Sequence, residues 1–423
     1  MIKPFFSSSS ETSLITIVSQ LLQEVSQLDK NKEVEIQIMI FSFTEKIISD
    51  QLLEIAKGNP NLMIRVLADW GNISNSEERK TRGLAEKNIK NIQVRFKYDQ
   101  PYLWDEEQNQ LRWNYNASLG LLHHKSICLF IDQQPIKLIT GSYNWTKKGG
   151  ENYENLIELN FNHFPEILSC FEEEFAAIWI DSELSLSFKE ALKHVENIQD
   201  YFKSNPKRLP EDFIRLNKGK DGSYFRKPIN KRLKTIVKNN NLVAFSATHP
   251  ISKINSNGFS SIVNKRYFNM MKNSGKEKLV PLTLNTLSLD IIARAKAKTT
   301  LRVAMYALSV RVPEYNALLE AARRGVFIKI IFDRSVNIFT MERLSEVINK
   351  EKINIEIRAG KRGMHQKYIV DESEGNVLTG TANMTTDSMQ RHAEHRFLFK
   401  SNPELAEAFT QDFETIWNRI TLR

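Results

Sequence analysis

The feature that most constrains this chain is a long internal repeat. The segment Val34–Lys46 (VEIQIMIFSFTEK) reads as a strand running into a turn. After a helix-like stretch, Met63–Trp70 (MIRVLADW) reads as a second strand. Much later, Leu301–Val310 (LRVAMYALSV) is followed by the helical NALLEAARRG and then by Phe327–Arg334 (FIKIIFDR). The order is the same both times: strand, helix, and a strand closing on an Asp, first Asp69 and then Asp333. Strand–helix–strand units with short right-handed crossovers build parallel sheets. A chain that carries the unit twice is a duplicated α/β protein.

The correspondence continues beyond the crossover. Asn91–Asp99 (NIQVRFKYD) matches Asn354–Lys361 (NIEIRAGK), and Pro165–Trp179 (PEILSCFEEEFAAIW) matches Pro403–Trp417 (PELAEAFTQDFETIW). Both later segments have helical period. Ile167, Phe171, Phe175 and Ile178 fall on one face of the first, and Leu405, Phe409, Phe413 and Ile416 on one face of the second; these faces are expected to be core. Each helix opens on Pro, which suits a first helical position. At 423 residues there is chain enough for two domains with their own cores. The expected division is a first lobe over 1–180, a second over 279–423, and 181–278 between them, beginning with a helix at Ser182–Phe202.

That middle segment is where the charge lies. Residues 203–278 hold 18 Lys+Arg against 4 Asp+Glu, a local +14 in a chain whose total is +9, so the remainder is net acidic. Four prolines and the run Lys238–Asn241 (KNNN) point to a basic linker or insert of irregular structure. Concentrated positive charge suits a phosphate backbone or an acidic partner. A solvated linker is the competing reading. No stretch approaches the roughly 20 apolar residues that cross a bilayer. The N-terminus has a Ser run and Glu11 where a signal peptide needs an apolar centre, so a cytoplasmic location with no membrane association is expected. The two cysteines, Cys128 and Cys170, sit in apolar segments and are expected to be buried free thiols.

Both repeats contain a His-x-Lys pair followed by a Gly-[Ser/Thr]-x-Asn turn. These are His123/Lys125 with Gly141–Asn144 (GSYN), and His365/Lys367 with Gly380–Asn383 (GTAN). Downstream stand Glu154 and Glu394, 10 and 11 residues past the Asn. In a strand, side chains at i and i+2 share a face, so each imidazole projects beside an ammonium. Lys can hold a phosphate oxygen, the Asn amide another, and the turn Gly is expected to let backbone approach a bound anion. A Glu on the far ring nitrogen of His would fix its tautomer and orientation. His392 and His395 flank Glu394 without a paired pattern and read as surface or packing residues. His124 points off the His123/Lys125 face and reads as structural.

With these residues in place the chain resembles the phospholipase D superfamily, whose mark is a duplicated His-Lys-Asp motif. The resemblance covers both lobes and leaves the basic segment unexplained. It implies two phospholipase D-like lobes, each a mixed β-sheet flanked by helices, with the motifs meeting across a pseudo-twofold interface to form one active site. One His would attack phosphorus to give a phosphohistidine, and the other would protonate the leaving oxygen and then activate water. The matching positions are His123, Lys125, Asn144 and Glu154 with His365, Lys367, Asn383 and Glu394. No cofactor is implied, and no carboxylate cluster calls for a metal. The family's Asp normally stands five residues after the Lys. Here position 130 is Phe with Asp132 beyond it, and position 372 is Glu with Asp371 before it, so a structural role is expected for these two.

The superfamily includes nucleases, lipid hydrolases and phosphatidyl transferases, so the resemblance leaves the substrate open. An endonuclease acting on DNA or RNA is favoured by the basic segment, with Lys231, Arg232 and Lys234 as candidate nucleic-acid contacts. The opening Phe5–Leu14 is also similar to small bacterial nucleases of the superfamily. Tyr98, Tyr102, Trp104, Trp113 and Tyr115, in the long stretch before His123, are candidates to stack on bases. The alternatives are a phospholipase or cardiolipin-synthase-like enzyme, and a catalytically silent nucleic-acid-binding subunit. Both half-sites lie in one chain, so a monomer is catalytically complete. A dimer, or a protein partner in a larger system, is compatible with that.

Overall fold

The computed structural model describes residues 2–9, 13–73, 79–97, 102–105, 110–113, 120–180, 182, 185–193, 241–246, 284–360, 363–390 and 392–420. The first lobe comprises β1 (Lys3–Phe6), α1 (Leu14–Ser26), β2 (Val34–Ile40), α2 (Lys46–Gly58), β3 (Leu62–Asp69), α3 (Lys80–Glu86) and β4 (Ile92–Lys97). It continues through a hairpin of β5 (Tyr102–Asp105) and β6 (Gln110–Trp113) to β7 (Lys125–Ile131), β8 (Gln134–Gly141), α4 (Lys147–Glu151), β9 (Asn155–Asn160), α5 (Pro165–Ile180) and β10 (Ser185–Ser187). The second comprises β11 (Asn241–Phe245), α6 (Leu284–Arg294), β12 (Thr300–Met305), α7 (Pro313–Arg323), β13 (Phe327–Asp333), α8 (Arg334–Glu351) and β14 (Ile355–Gly360). It closes with β15 (Lys367–Asp371), β16 (Asn376–Gly380), α9 (Thr386–Gln390), β17 (His395–Phe399) and α10 (Pro403–Arg419).

The two large sheets share a seven-strand topology, to which the first adds β10 at one edge. The first runs β1-β9-β8-β7-β2-β3-β4-β10 and the second β11-β17-β16-β15-β12-β13-β14. In each, three parallel strands (β2, β3, β4 and β12, β13, β14) join an antiparallel meander through β7 and β15. The sheets are therefore mixed, as the resemblance implied.

Two edge strands lie in the stretch assigned to neither lobe from sequence. Ser185–Ser187 pairs with β4 where the start of a helix was expected, and residues 188–193 are helical. Asn241–Phe245 pairs with β17, so the second sheet takes its first strand from within the basic segment. Five residues bounded by Asn and Ser have too little periodicity to announce an edge strand, and the counterpart β1 is shorter still. Residues 203–240 and 247–278 lie outside the described residues, and with them Lys231, Arg232 and Lys234; so do Tyr98 and Tyr115. Tyr102, Trp104 and Trp113 fall on the β5–β6 hairpin.

Alternation along the strands separates the cores. Val34, Ile36, Ile38 and Ile40 of β2 face α1 and α2, while Met39 faces the other lobe. Leu301, Val303 and Met305 of β12 likewise face α6 and α7, and Ala304 the other lobe. The third core lies between the sheets and takes in the apolar faces of α5 and α10, with all eight positions expected from their period buried. Each such side chain stabilises the fold by about 1.5–3 kcal/mol. The long helices fasten the lobes crosswise: Phe409 of α10 stacks edge-on against Phe6 of β1, and Phe171 of α5 against Phe245 of β11. Cys128 is buried and Cys170 half-buried, both as free thiols.

Candidate active site

The parallel strands β2 and β3 end together, and β7 begins beside them, with Lys125 opposite Ile40. β15 does the same in the second lobe, with Lys367 opposite Met305. The carboxyl end of a parallel sheet is where α/β folds place ligands. Both ends here face the lobe boundary, and they are stitched to each other. His123 N donates to Ala393 O at 2.9 Å, and Ala393 N to Leu121 O at 2.7 Å. Symmetrically, His365 N donates to Tyr153 O at 3.0 Å, and Tyr153 N to Gly363 O at 2.9 Å.

This stitching pairs each histidine with the glutamate of the opposite lobe. Nδ1 of His123 meets Oε1 of Glu394, and Nδ1 of His365 lies 2.7 Å from Oε1 of Glu154. Glu154 and Glu394 are fully buried, and each histidine is nearly so. With Nδ1 engaged, Nε2 is the nitrogen left to react. Lys125 donates to the carbonyl of His123 at 2.7 Å, and Lys367 to that of His365. Each ammonium also sits over an aromatic ring at a strand end, Lys125 over Phe41 at 5.0 Å and Lys367 over Tyr306 at 5.2 Å. The same rings meet the imidazoles edge-on, both at 4.9 Å. Phe41 and Tyr306 were missed from sequence, although they fill the same place in the repeat, FSF against YAL.

Burial lowers the basicity of all four cations. It holds His123 well below the ordinary imidazole range, helped by Lys125 and Lys367. It also lowers His365, but there Glu154 opposes the effect. Lys125 is brought well down by burial and by Lys367, and Lys367 falls to about 8. Burial raises the Glu394 carboxyl, against the pull of His392 and Lys125.

The glycines of the Gly-[Ser/Thr]-x-Asn turns are required by a contact within the protein. A Cβ on Gly141 would lie 2.2 Å from Asn155 O, and one on Gly380, whose φ is +153°, 2.4 Å from His395 O. The close approach is to the neighbouring strand, which carries the residue after each glutamate. The turn hydroxyls clasp that residue: Asn155 N donates to Ser142 Oγ at 2.9 Å, and His395 N to Thr381 Oγ1 at 3.1 Å. The side-chain oxygens of Asn144 and Asn383 are buried without a hydrogen-bond partner.

Two serines complete the fastening. Ser7 Oγ accepts from Glu154 N at 2.7 Å and donates to Asn152 O. Ser246 Oγ accepts from Glu394 N at 2.7 Å and donates to His392 O. The sequence signal was a repeated Phe-Ser at the ends of β1 and β11, hidden because one copy lies in the basic segment. His392 was read as a surface or packing residue. Its ring stands 6.1 Å from that of His123, and its Nδ1 accepts from Leu121 N at 2.9 Å.

Asp132 and Asp371 lie away from these groups. Asp132 is at φ +50° in the β7–β8 turn and accepts from Glu33 N, and Asp371 accepts from Ser373 Oγ at 2.6 Å. Asp69 and Asp333 sit closer. Asp69 accepts from Leu122 N and Gly71 N, both at 2.9 Å, and Asp333 caps α8 through Ser335 N.

Fold and site together define a two-lobed α/β protein in which a duplicated His/Lys half-site is assembled by exchange of glutamates between lobes. The family model described as "Cardiolipin synthase, PLD-like domain" matches residues 25–179 and 289–417. The chain belongs to this family, within the phospholipase D superfamily of phosphodiesterases and phosphotransferases. A phospholipase D of Rickettsia typhi (strain ATCC VR-144 / Wilmington) is 28% identical over 167 residues, 37% of this chain and 80% of that protein. The crystal structure of phosphatidylserine synthase from Haemophilus influenzae Rd KW20 is similar in fold. It has a TM-score of 0.58 at 12% identity, covering 98% of this chain and 86% of that one. Nuc from Salmonella typhimurium, a phospholipase D family member, is 27% identical with a TM-score of 0.29, covering 32% of this chain and 88% of that one. Among the described residues no helix is long and apolar enough to cross a membrane.

Proposed function

We propose that the chain is a metal-independent endonuclease that cleaves DNA or RNA through a phosphohistidine at the site shared by its lobes. The observation that carries the chemistry is the crosswise pairing of His123 with Glu394 and His365 with Glu154. Each pairing reserves Nδ1 and leaves Nε2 for reaction. In this reading His123 is the nucleophile: its Nε2 bonds to phosphorus as the ester P–O bond breaks. His365, whose basicity Glu154 supports, gives its proton to the departing oxygen. Water then attacks phosphorus, passes a proton to His365, and releases His123. Lys125, Lys367 and the amides of Asn144 and Asn383 hold the non-bridging oxygens, supplying the charge stabilisation such a transition state needs.

The polymer substrate is supported by the +14 of residues 203–278. The test is cleavage of plasmid, single-stranded DNA and RNA in excess EDTA, wild type beside His123→Ala. Cutting by wild type alone supports the reading and names the polymer. Neutralising Lys231, Arg232 and Lys234 should weaken nucleic-acid binding and flatten its salt dependence; an unchanged slope returns the segment to a linker. A phospholipid substrate is the second reading, favoured by the description of the matched family model. Hydrolysis of phosphatidylglycerol vesicles with every nucleic acid left intact would replace the first reading with this one.

A further inference from the structure

Next to His123 and Glu394 in the chain stand His124 and His395, both fully buried. Their rings meet across the lobe boundary, Nδ1 to Nδ1 at 2.9 Å, with planes 7° apart. Polar contacts continue from both ends. His395 Nε2 lies 3.1 Å from the hydroxyl of Thr140, which is itself 2.9 Å from the carbonyl oxygen of Lys125. His124 Nε2 lies 3.5 Å from Oε1 of Glu174 on α5, within ion-pair reach but not hydrogen-bonded to it. A line of four side chains thus runs from the backbone of a catalytic lysine, through β17 of the other lobe, to α5.

The pseudo-twofold relation maps Thr140, His395, His124 and Glu174 onto Thr379, Asn155, Gln366 and Asp412. There amides make the outer bonds, while the side-chain oxygens of Asn155 and Gln366 have no hydrogen-bond partner. Asn155 Nδ2 donates to Thr379 Oγ1 at 3.2 Å, while Gln366 Nε2 donates to Asp412 Oδ2 at 2.9 Å and to Glu154 O at 3.2 Å. An amide has fixed donors and a fixed acceptor, whereas an imidazole pair must agree which ring donates. The setting of one proton therefore orients every member of the imidazole line. Phe171 of α5, Phe245 of β11 and Phe397 of β17 pack around His395. The ionisable groups facing it are His124, Lys125 and His123, and beyond His124 stands Glu174.

We propose that His124 and His395 are positioning residues: with Thr140 and Glu174 they form a cross-lobe imidazole relay that holds His123 and Glu394 in register. His123 N already bonds to Ala393 O, so a shift of the His395 backbone moves both members of the catalytic pair. The relay rests on the reading of His123 and Glu394 as that pair.

The test uses the full chain and two readouts. His395→Phe keeps the ring-sized volume and removes the hydrogen bonds. Imidazole ¹⁵N titration of this variant should move the His123 midpoint by about 0.5 pH unit or more and leave His365 in place. With bis(p-nitrophenyl) phosphate, a diester that presupposes neither nucleic acid nor lipid, kcat should fall about tenfold with KM within about twofold. The double variant His124→Gln/His395→Asn imports the amides of the other half-site and should recover most of the loss. An unmoved His123 midpoint overturns the relay, as does a double variant no better than His395→Phe. If wild type turns over no phosphodiester, the catalytic reading fails, and the His123 titration still decides the relay.

Discussion

The two half-sites use the same four residue types in the same cross-lobe geometry, yet they are fastened differently. Asn383 belongs to a turn held by a buried charge. Arg396 donates to the carbonyls of Ala382 and Asn383 at 3.1 and 3.0 Å and is paired with Glu314, which also accepts from Asn285 and Ser288. In the first lobe Leu156 stands at the corresponding place. Backbone holds both turns, with Thr44 N and Glu45 N donating to Trp145 O and Ser309 N to Met384 O, and the second adds the buried charge. Beside His123 stands His392, where the mirrored position beside Gly363 carries Asn152. Next to one pair lies the His124–His395 contact, and next to the other Gln366 and Asn155. On the proposed chemistry the reacting groups obey the twofold because both must reach one phosphorus atom. The supports are under no such constraint, and they differ even where they cross from one lobe to the other.

The largest expected effect treats the half-sites as equals. His123→Ala and His365→Ala should each lower cleavage by about 10²–10⁴-fold, with nucleic-acid binding nearly intact. Substantial turnover by either variant would break the shared site. Glutamate substitutions then test the exchange. Glu394→Gln and Glu154→Gln should each cost on the order of 10²-fold, and in double-mutant cycles Glu394→Gln should add little to His123→Ala but much to His365→Ala. The opposite coupling would mean that each glutamate serves its own lobe.

The pH profile tests what the two half-sites share, the lowered basicity of their histidines. Both histidines are lowered in the folded chain, and burial is the largest cause for each. The neutral form of His123 persists to lower pH than an ordinary imidazole allows, and the proton of His365 is lost below the usual value near 6.5. The kcat/KM profile should be a bell with both limbs on the acid side of that value. An alkaline limb well above it would mean that the proton donor is not a lowered histidine.

The smallest effects concern the supports. Arg396→Met leaves Glu314 buried without its cation and should destabilise the fold by about 3–5 kcal/mol in urea melts. Arg396→Met/Glu314→Gln should recover much of this, and equal losses from single and double variants would show that the pair contributes packing alone. Ser7→Ala and Ser246→Ala each remove one hydrogen-bonded clasp on a glutamate, worth about 1 kcal/mol and a several-fold loss of rate.

Much of this was legible in the chain itself. Strand alternation and helical period placed the βαβ units and the buried faces of α5 and α10, because those patterns follow from local geometry. Repeated spacing singled out the His, Lys, Asn and Glu positions, since each repeat holds its own copy. Partnership was not legible. That Glu394 serves His123 and Glu154 serves His365 depends on how two lobes meet, and spacing within a repeat is silent on contacts between repeats. The internal contact that requires the motif glycines was hidden for the same reason: the atom that excludes their Cβ belongs to a neighbouring strand. Phe41, Tyr306, Ser7, Ser246 and His392 acquire meaning only through what they touch. Sequence determined the inventory and its twofold order, which are properties of one chain segment at a time. Tertiary structure decided the pairings, and with them the burial that lowers the basicity of both histidines.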